Sequence, residues 1–99
     1  MNIRINSVKF DADKKLESFI ETKVTKLNKV NDDIIGIEVI LKLDSNPTGE
    51  NKISEIKVEI PGNDLFVKKQ SKTFEESTDL AVEALKRQLQ KHKEKQRTI

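Results

Sequence analysis

The feature of the chain that most constrains its fold is a helical stripe of apolar residues that stops well before the C-terminus. From Phe74 to Leu89 the apolar residues recur every three or four positions, as they do on the buried face of a helix. Ahead of the stripe, Thr73 and Glu76 fit a capping box, so the helix is expected to begin there. The stripe needs a second layer to cover it. Residues 90–99 carry almost no apolar side chains and are expected to project as a basic arm that frays at its end.

Four segments with strand patterns can supply that second layer. Apolar residues in alternation predict strands at 2–10, 34–43, 52–60 and about 65–71. The first strand is expected to end or bulge near Ser7, where the alternation changes phase. In the second strand, Glu38 and Lys42 should face away from five apolar residues. These five are Ile35, Ile37, Val39, Leu41 and Leu43.

A first helix is predicted between the first two strands. Residues 13–30 have helical period, and Asp11 or Asp13 can cap their start. The apolar stripe of this helix consists of Leu16, Phe19, Ile20, Val24 and Leu27. One flank of the stripe carries acids, the other carries lysines without an acid, and Lys23 borders the stripe on the lysine side.

The order of these elements is β-α-β-β-β-α, which predicts an α+β fold of two layers in a single domain, residues 1–99. We expect a four-stranded mixed sheet with both helices on one face, an arrangement similar to a double-stranded-RNA-binding domain. The first crossover should be right-handed and should make the first two strands parallel. The later strands should form an antiparallel meander with turns at 44–51 and 61–64. The face away from the helices should be exposed to water, with Glu38, Lys42, Lys57 and Glu59 on it.

Several classes of function are excluded by composition. The chain has no cysteine, a single histidine (His92) and three unclustered glycines. These counts leave no catalytic constellation, thiolate zinc site or phosphate-binding glycine loop. We therefore expect no enzyme activity, no metal, no cofactor and no small-molecule substrate. The four phenylalanines, Phe10, Phe19, Phe66 and Phe74, fit apolar patterns and are interpreted as core, so any nucleic-acid binding would depend on phosphates and shape.

The chain also carries no signal for a membrane. No apolar run approaches the roughly 20 residues that a spanning helix needs. The N-terminal segment alternates polar and apolar residues and lacks the hydrophobic region of a signal peptide. We therefore expect a cytoplasmic protein without a membrane partner, and a monomer in isolation.

Positive charge is concentrated at the end of the last helix. Residues 86–97 hold six bases and one acid, a net +5, whereas the whole chain carries +2, so the remainder sums to −3. Two lines of bases run along this helix, and the first helix contributes three more. The first line is Arg87, Lys91 and Lys95; the second is Lys86, Lys93 and Arg97; the first helix adds Lys23, Lys26 and Lys29. This pattern fits a ridge that binds a polyanion, and it equally fits a solvated helix end that satisfies the helix dipole.

Two motifs resemble those of the ribosome hibernation-promoting factor family, also called ribosome-associated inhibitors and sigma-factor modulation proteins. The first helix ends in KVTKLNK (23–29), which matches the family pattern K-[LV]-x-K-L-x-K completely. The last helix contains ALKRQLQK (84–91), which differs from K-L-x-R-Q-L-x-K at its start, and Asp79 matches a family aspartate. The resemblance covers nearly all 99 residues. Departures at the helix start are Thr73, Glu75 and Thr78, where Asp, Tyr and Ile are usual.

The resemblance implies a protein that binds the small ribosomal subunit near the A and P sites, contacting rRNA of the decoding region and silencing translation in stationary phase or stress. By this resemblance the rRNA-binding residues are Lys23, Lys26, Lys29, Lys86, Arg87, Lys91, Lys93 and Lys95. Long members of the family add a second domain that pairs ribosomes, and this chain resembles a short form. The alternative is a protein-interaction module that regulates a transcription factor.

Overall fold

The computed structural model describes residues 2–45 and 49–97, with side chains described as far as His92. Three helices and four strands follow one another in these ranges. They are β1 (Asn2–Ser7), α1 (Lys14–Thr25), α2 (Leu27–Val30), β2 (Gly36–Leu43), β3 (Lys52–Ile60), β4 (Asn63–Ser71) and α3 (Phe74–Arg97). Part of the predicted 44–51 loop, and the side chains of the predicted arm from residue 93 onward, lie outside the described residues.

The four strands form one mixed sheet in the order β1-β2-β3-β4. β1 pairs with β2 in parallel, and the other two neighbouring pairs are antiparallel, as predicted. Gly36 allows the close start of the parallel pair, because a Cβ there would lie 3.2 Å from the Asn2 carbonyl oxygen. Gly62, at φ +78°, closes the tight turn between β3 and β4, so β4 begins at Asn63, two residues before the predicted start.

The core lies between the helices and one face of the sheet. Val39, Ile56 and Val58 are fully buried from the sheet side, and Ile20 and Val24 are fully buried from α1. The predicted stripe of α3 is buried along its whole length. Its members are Phe74, Thr78, Ala81, Val82, Leu85 and Leu89. The α+β, two-layer prediction is therefore confirmed.

Buried hydroxyl groups tie α3 to the sheet at one place. The Ser54 hydroxyl of β3 lies 2.7 Å from the Ser77 hydroxyl and 3.0 Å from the Thr78 hydroxyl. The Ser77 hydroxyl also lies 3.2 Å from the Phe74 carbonyl oxygen, to which it donates. These bonds satisfy three polar groups in the core, so they fix how far along β3 the helix sits.

The first predicted helix is interrupted. The sequence predicts one helix over residues 13–30, but α1 ends at Thr25 and the short α2 follows after Lys26. Asp13, one of the two predicted caps, accepts the N-terminal hydrogen bond from the Leu16 amide. Near the break, the Thr25 hydroxyl donates to the Glu21 carbonyl oxygen at 2.6 Å, a back-bond that bends helices.

The strand end expected near Ser7 is confirmed, whereas the alternation predicted for the second strand is wrong at its ends. β1 ends at Ser7, so residues 8–10 of the predicted range lie outside it, and Lys9 there adopts a left-handed backbone at φ +66°. In the second strand, regular pairing begins only at Gly36. Ile34 is consequently buried in the core and Ile35 is 57% exposed, the reverse of the predicted alternation. Leu43, at the other end of β2, is also exposed.

Phe66 is the phenylalanine that the core interpretation misplaced. It is 55% exposed, because it points from the edge strand β4 to the face of the sheet that carries no helix. Phe74 is buried and stacks on Phe10 with 5.0 Å between ring centroids, so the interpretation holds for that pair.

Candidate nucleic-acid interface

α1 and α3 begin at the same end of the sheet and run in the same direction. The stacked rings of Phe10 and Phe74 join the two helix starts. Further along both helices, the Lys23 ammonium nitrogen lies 3.0 Å from a carboxylate oxygen of Asp79. Because α2 continues from α1 and also contacts α3, it lies beside the later part of α3.

Parallel helices place charges of opposite sign at opposite ends of the helix layer. At the starts, Asp11, Asp13 and Glu75 line one shallow groove together with Lys15. Acids at helix starts and bases at helix ends both complement the helix dipole. We call the opposite end of the layer the basic end and define it by Lys23, Lys26, Lys29, Lys86 and Arg87.

Two lysines of the basic end are engaged within the protein. Lys23 is 28% exposed in its side chain, pairs with Asp79 and also lies 5.6 Å from the centroid of the Phe19 ring. Lys86 pairs with Glu83 one turn earlier on α3, with 3.3 Å between nitrogen and oxygen. Part of the positive charge of both lysines is therefore neutralised by a neighbouring carboxylate.

The other cations of the basic end are exposed. Among the side chains described up to His92, Lys26, Lys29 and Arg87 form no ion pair. Lys26 and Lys29 line an open groove on the outer face of α1 and α2 together with three hydroxyl groups and one carboxylate. The other lining residues are Ser18, Glu21, Thr22 and Thr25. Exposed ammonium groups next to hydroxyl groups are suited to contact phosphate oxygens.

α3 divides the predicted bases between its two flanks. Lys86 lies on the same flank as Asp79, toward α1, because the two residues are seven positions apart. Lys91 lies on the opposite flank, where it lines a groove with Asn63 and Leu65 of β4. Arg87 is exposed between these flanks. The side chains of Lys93 and Lys95 lie outside the described residues, so their placement stays a prediction.

The sequence missed two surfaces that the fold assembles. One is the groove between β4 and α3, whose β4 residues, Asn63 and Leu65, lie outside both lysine motifs. The other is the exposed ring of Phe66. An earlier start for β4, placed directly after the Pro61–Gly62 turn, would have brought Asn63 to the helix side of the strand. Strand alternation, with Leu65 and Val67 on the helix side, places Phe66 on the other side for either start of β4.

The described residues show neither a metal-binding cluster nor a membrane-spanning helix. No three His, Asp or Glu side chains in the part of the chain that the structure describes come together to hold a metal ion. Within the same ranges, no helix combines the length and the apolar character that crossing a bilayer requires. The arrangement that stands out is thus the cluster of exposed cations at one end of the helix layer.

Solved structures share this fold closely. The N-terminal domain of Thermus thermophilus Protein Y superimposes with a TM-score of 0.79 at 24% identity, covering 93% of this chain and 99% of that chain. A ribosomal subunit interface protein from Coxiella burnetii gives a TM-score of 0.84 at 25% identity, covering 94% of this chain and 98% of that chain. The fold is therefore that of ribosomal subunit interface proteins.

The family follows from the sequence comparison. Residues 3–97 match the model of the family described as "Sigma 54 modulation protein / S30EA ribosomal protein", so the chain belongs to that family. A ribosome hibernation promoting factor from Pseudomonas putida is 25% identical over 99 residues, which are 100% of this chain and 93% of that protein. The resemblance seen in the two lysine motifs is thereby confirmed. The family is one of ribosome-associated factors and not an enzyme family.

Proposed function

We propose that this protein binds the small ribosomal subunit through its basic end, near the A and P sites, and inhibits translation in stationary phase or stress. The observation that carries the proposal is the exposure of three cations without an ion pair among the described side chains, at the end of the helix layer opposite Asp11, Asp13 and Glu75. They are Lys26 and Lys29, which share one groove, and Arg87 of α3. Membership in a family of ribosome-associated factors supports rRNA as the polyanion.

The proposed inhibition requires only that the protein occupies its site on the ribosome, and no covalent bond is made or broken. Exposed Lys and Arg side chains displace counterions from rRNA phosphates, which gives affinity without reading sequence. The opposite end of the helix layer, with Asp11, Asp13 and Glu75, would be repelled by the same phosphates. The separation of acids from bases therefore also orients the protein on the subunit. A protein held in the mRNA and tRNA path blocks translation by excluding those ligands, so no catalytic residue and no cofactor is needed. The site of action is the cytoplasm, where ribosomes work.

Sucrose-gradient co-sedimentation with purified ribosomes at low and high salt tests the proposal. We expect co-migration with the small subunit at low salt and release at high salt, because each neutralised phosphate contributes about 0.7–0.9 to the slope of log affinity against log salt. Ribosomes loaded beforehand with mRNA and P-site tRNA should bind the protein weakly. A protein that stays at the top of the gradient at low salt contradicts ribosome binding. Equal binding to empty and tRNA-loaded ribosomes contradicts the A and P site placement.

A second candidate function rests on the exposed Phe66. An exposed aromatic ring on an uncovered sheet face is a common anchor for protein partners, and the face around it has nearly balanced charge. This observation favours the alternative of a module that regulates a transcription factor. Ribonuclease treatment of cell extract separates the two functions, because a protein complex survives it and an rRNA-dependent complex does not.

A further inference from the structure

A groove lies on the flank of α3 that faces away from α1. It is lined by Asn63 and Leu65 at the start of β4 and by Gln88, Lys91 and His92 of α3, and we call it the β4–α3 groove. It is separate from the basic end, because none of the five residues that define the basic end lines it. None of its β4 residues belongs to the two lysine motifs of the family.

The fold builds this groove from two local features. The Pro61–Gly62 turn, with Gly62 at φ +78°, makes Asn63 pair directly with Ile60, so β4 begins immediately after the turn. α3 then starts just beyond the far end of β4 and runs back along it, because α3 contacts both β4 and β3. The later residues of α3, including Gln88, consequently reach the first residues of β4.

The lining residues offer a distinctive set of chemical groups. The amides of Asn63 and Gln88 each carry hydrogen-bond donors and an acceptor. The Leu65 side chain is half-buried and provides an apolar wall. The exposed Lys91 contributes a positive charge, and no carboxylate is among the described lining residues. Amides match the edge of a nucleobase, an apolar wall matches its face, and an ammonium group matches a phosphate.

We propose that the β4–α3 groove receives one unpaired nucleotide of the rRNA, with its base against Leu65, Asn63 and Gln88 and its phosphate at Lys91. This inference rests on the proposed rRNA binding and adds a base-contacting site to it. Arg87 supports the path, because it is exposed and lies one helical turn before Lys91. A strand of rRNA bound at the basic end can therefore cross α3 over Arg87 and enter the groove.

The test uses the full chain with Asn63→Ala and Gln88→Ala together, in equilibrium binding to purified ribosomes at several salt concentrations. We expect about tenfold weaker binding with an unchanged salt slope, because the lost contacts are to a base and no phosphate contact is removed. Gln90→Ala is the matched control, since Gln90 is exposed on the same helix outside the groove, and it should bind as the wild type does. Thermal unfolding of each variant establishes that it folds.

Lys91→Gln supplies a second readout that does not depend on the amides. It should weaken binding and reduce the salt slope by about 0.7–0.9, the value for one phosphate contact. A wild-type affinity for the double alanine variant, alongside strong loss in a basic-end variant, overturns the nucleotide site and leaves the proposed function standing. Failure of the wild type to bind ribosomes at low salt overturns both.

Discussion

The basic end and the face of the sheet that carries no helix, which we call the open face, are both rich in charge, yet their charges are arranged differently. On the open face, Arg4 lies 3.6 Å from Glu59 and 4.0 Å from Glu38, and Lys42 lies 3.1 Å from Glu55. These cations lie beside acids on other strands of the sheet, and Arg4 reaches past β2 to Glu59 of β3. At the basic end, only Lys23 and Lys86 among the five cations form ion pairs within the described residues.

This difference separates charge used within the fold from charge available to a partner. Cross-strand pairs of opposite sign support the sheet and leave little net field above it. Three exposed cations at one end of the helix layer, with no acid paired to them among the described side chains, favour a positive potential that attracts a polyanion. Both regions carry several charged residues, so the difference in pairing is the observation that favours the basic end as the interface.

The largest effect should follow from reversing charge at the basic end. Lys26→Glu with Lys29→Glu should weaken ribosome binding about a hundredfold near 0.1 M salt, because two phosphate contacts are lost and repulsion replaces them. The comparison variant is Lys42→Glu with Lys68→Glu, which makes the same change in charge on the open face, where Lys68 of β4 is exposed opposite Glu55 of β3. We expect it to bind within a factor of about two of the wild type. Equal loss in both variants, measured by ribosome pelleting, would show that net charge alone determines binding.

The features that the sequence could predict are those determined by residues close together in the chain. Apolar periodicity and turn residues specify the strands, the helical segments and the buried stripe of α3, because each depends on residues close together in the chain. The cationic motifs likewise place Lys26 and Arg87 on exposed helix surface. These features need no knowledge of how the layers pack.

Features that depend on packing between distant segments were not predictable. Lys23 and Asp79 are far apart in sequence and meet only because the two helices run in the same direction. Phe66 has the local pattern of a core residue, and its exposure follows from the absence of a layer above the open face. The β4–α3 groove similarly arises from the exact start of β4, which the turn at Gly62 determines.

Neutralising one cation at a time should distinguish a cation without an ion pair, such as Arg87, from a paired cation, such as Lys86. Arg87→Gln should reduce the salt slope by about 0.7–0.9 and weaken binding about sixfold at 0.1 M salt, as expected for one lost phosphate contact. Lys86→Gln should have a smaller effect on both quantities, because Glu83 already neutralises part of its charge. Isothermal titration or filter binding at four salt concentrations gives both numbers. Identical slopes for the two variants would contradict the distinction between paired and available charge.

Removing the ion-pair partner of a basic-end lysine should strengthen ribosome binding, the opposite of the effect of removing a cation. Asp79→Asn deletes the carboxylate that pairs with Lys23 and leaves the lysine on the Phe19 ring. We expect ribosome binding to tighten about two- to sixfold and the salt slope to increase in magnitude, since one more cation becomes available to phosphate. Glu76→Gln is the matched control, because Glu76 is exposed at the start of the same helix and forms no ion pair among the described residues. Weaker binding by the Asp79 variant, with its fold intact, would show that the ion pair positions Lys23 for binding.

The smallest effect should come from the paired charges of the open face. A double-mutant cycle on Lys42 and Glu55, with Lys42→Ala and Glu55→Ala, should give a coupling of at most about 1 kcal/mol in the free energy of unfolding, because the pair is partly exposed to water. Chemical denaturation at low and high salt measures this coupling, and salt should reduce it. Ribosome affinity should be unchanged in both single variants and in the double variant, since these charges pair with each other on the sheet and do not contact the ribosome. A loss of affinity that follows the loss of the pair would place the open face in the interface and remove the distinction between the two regions.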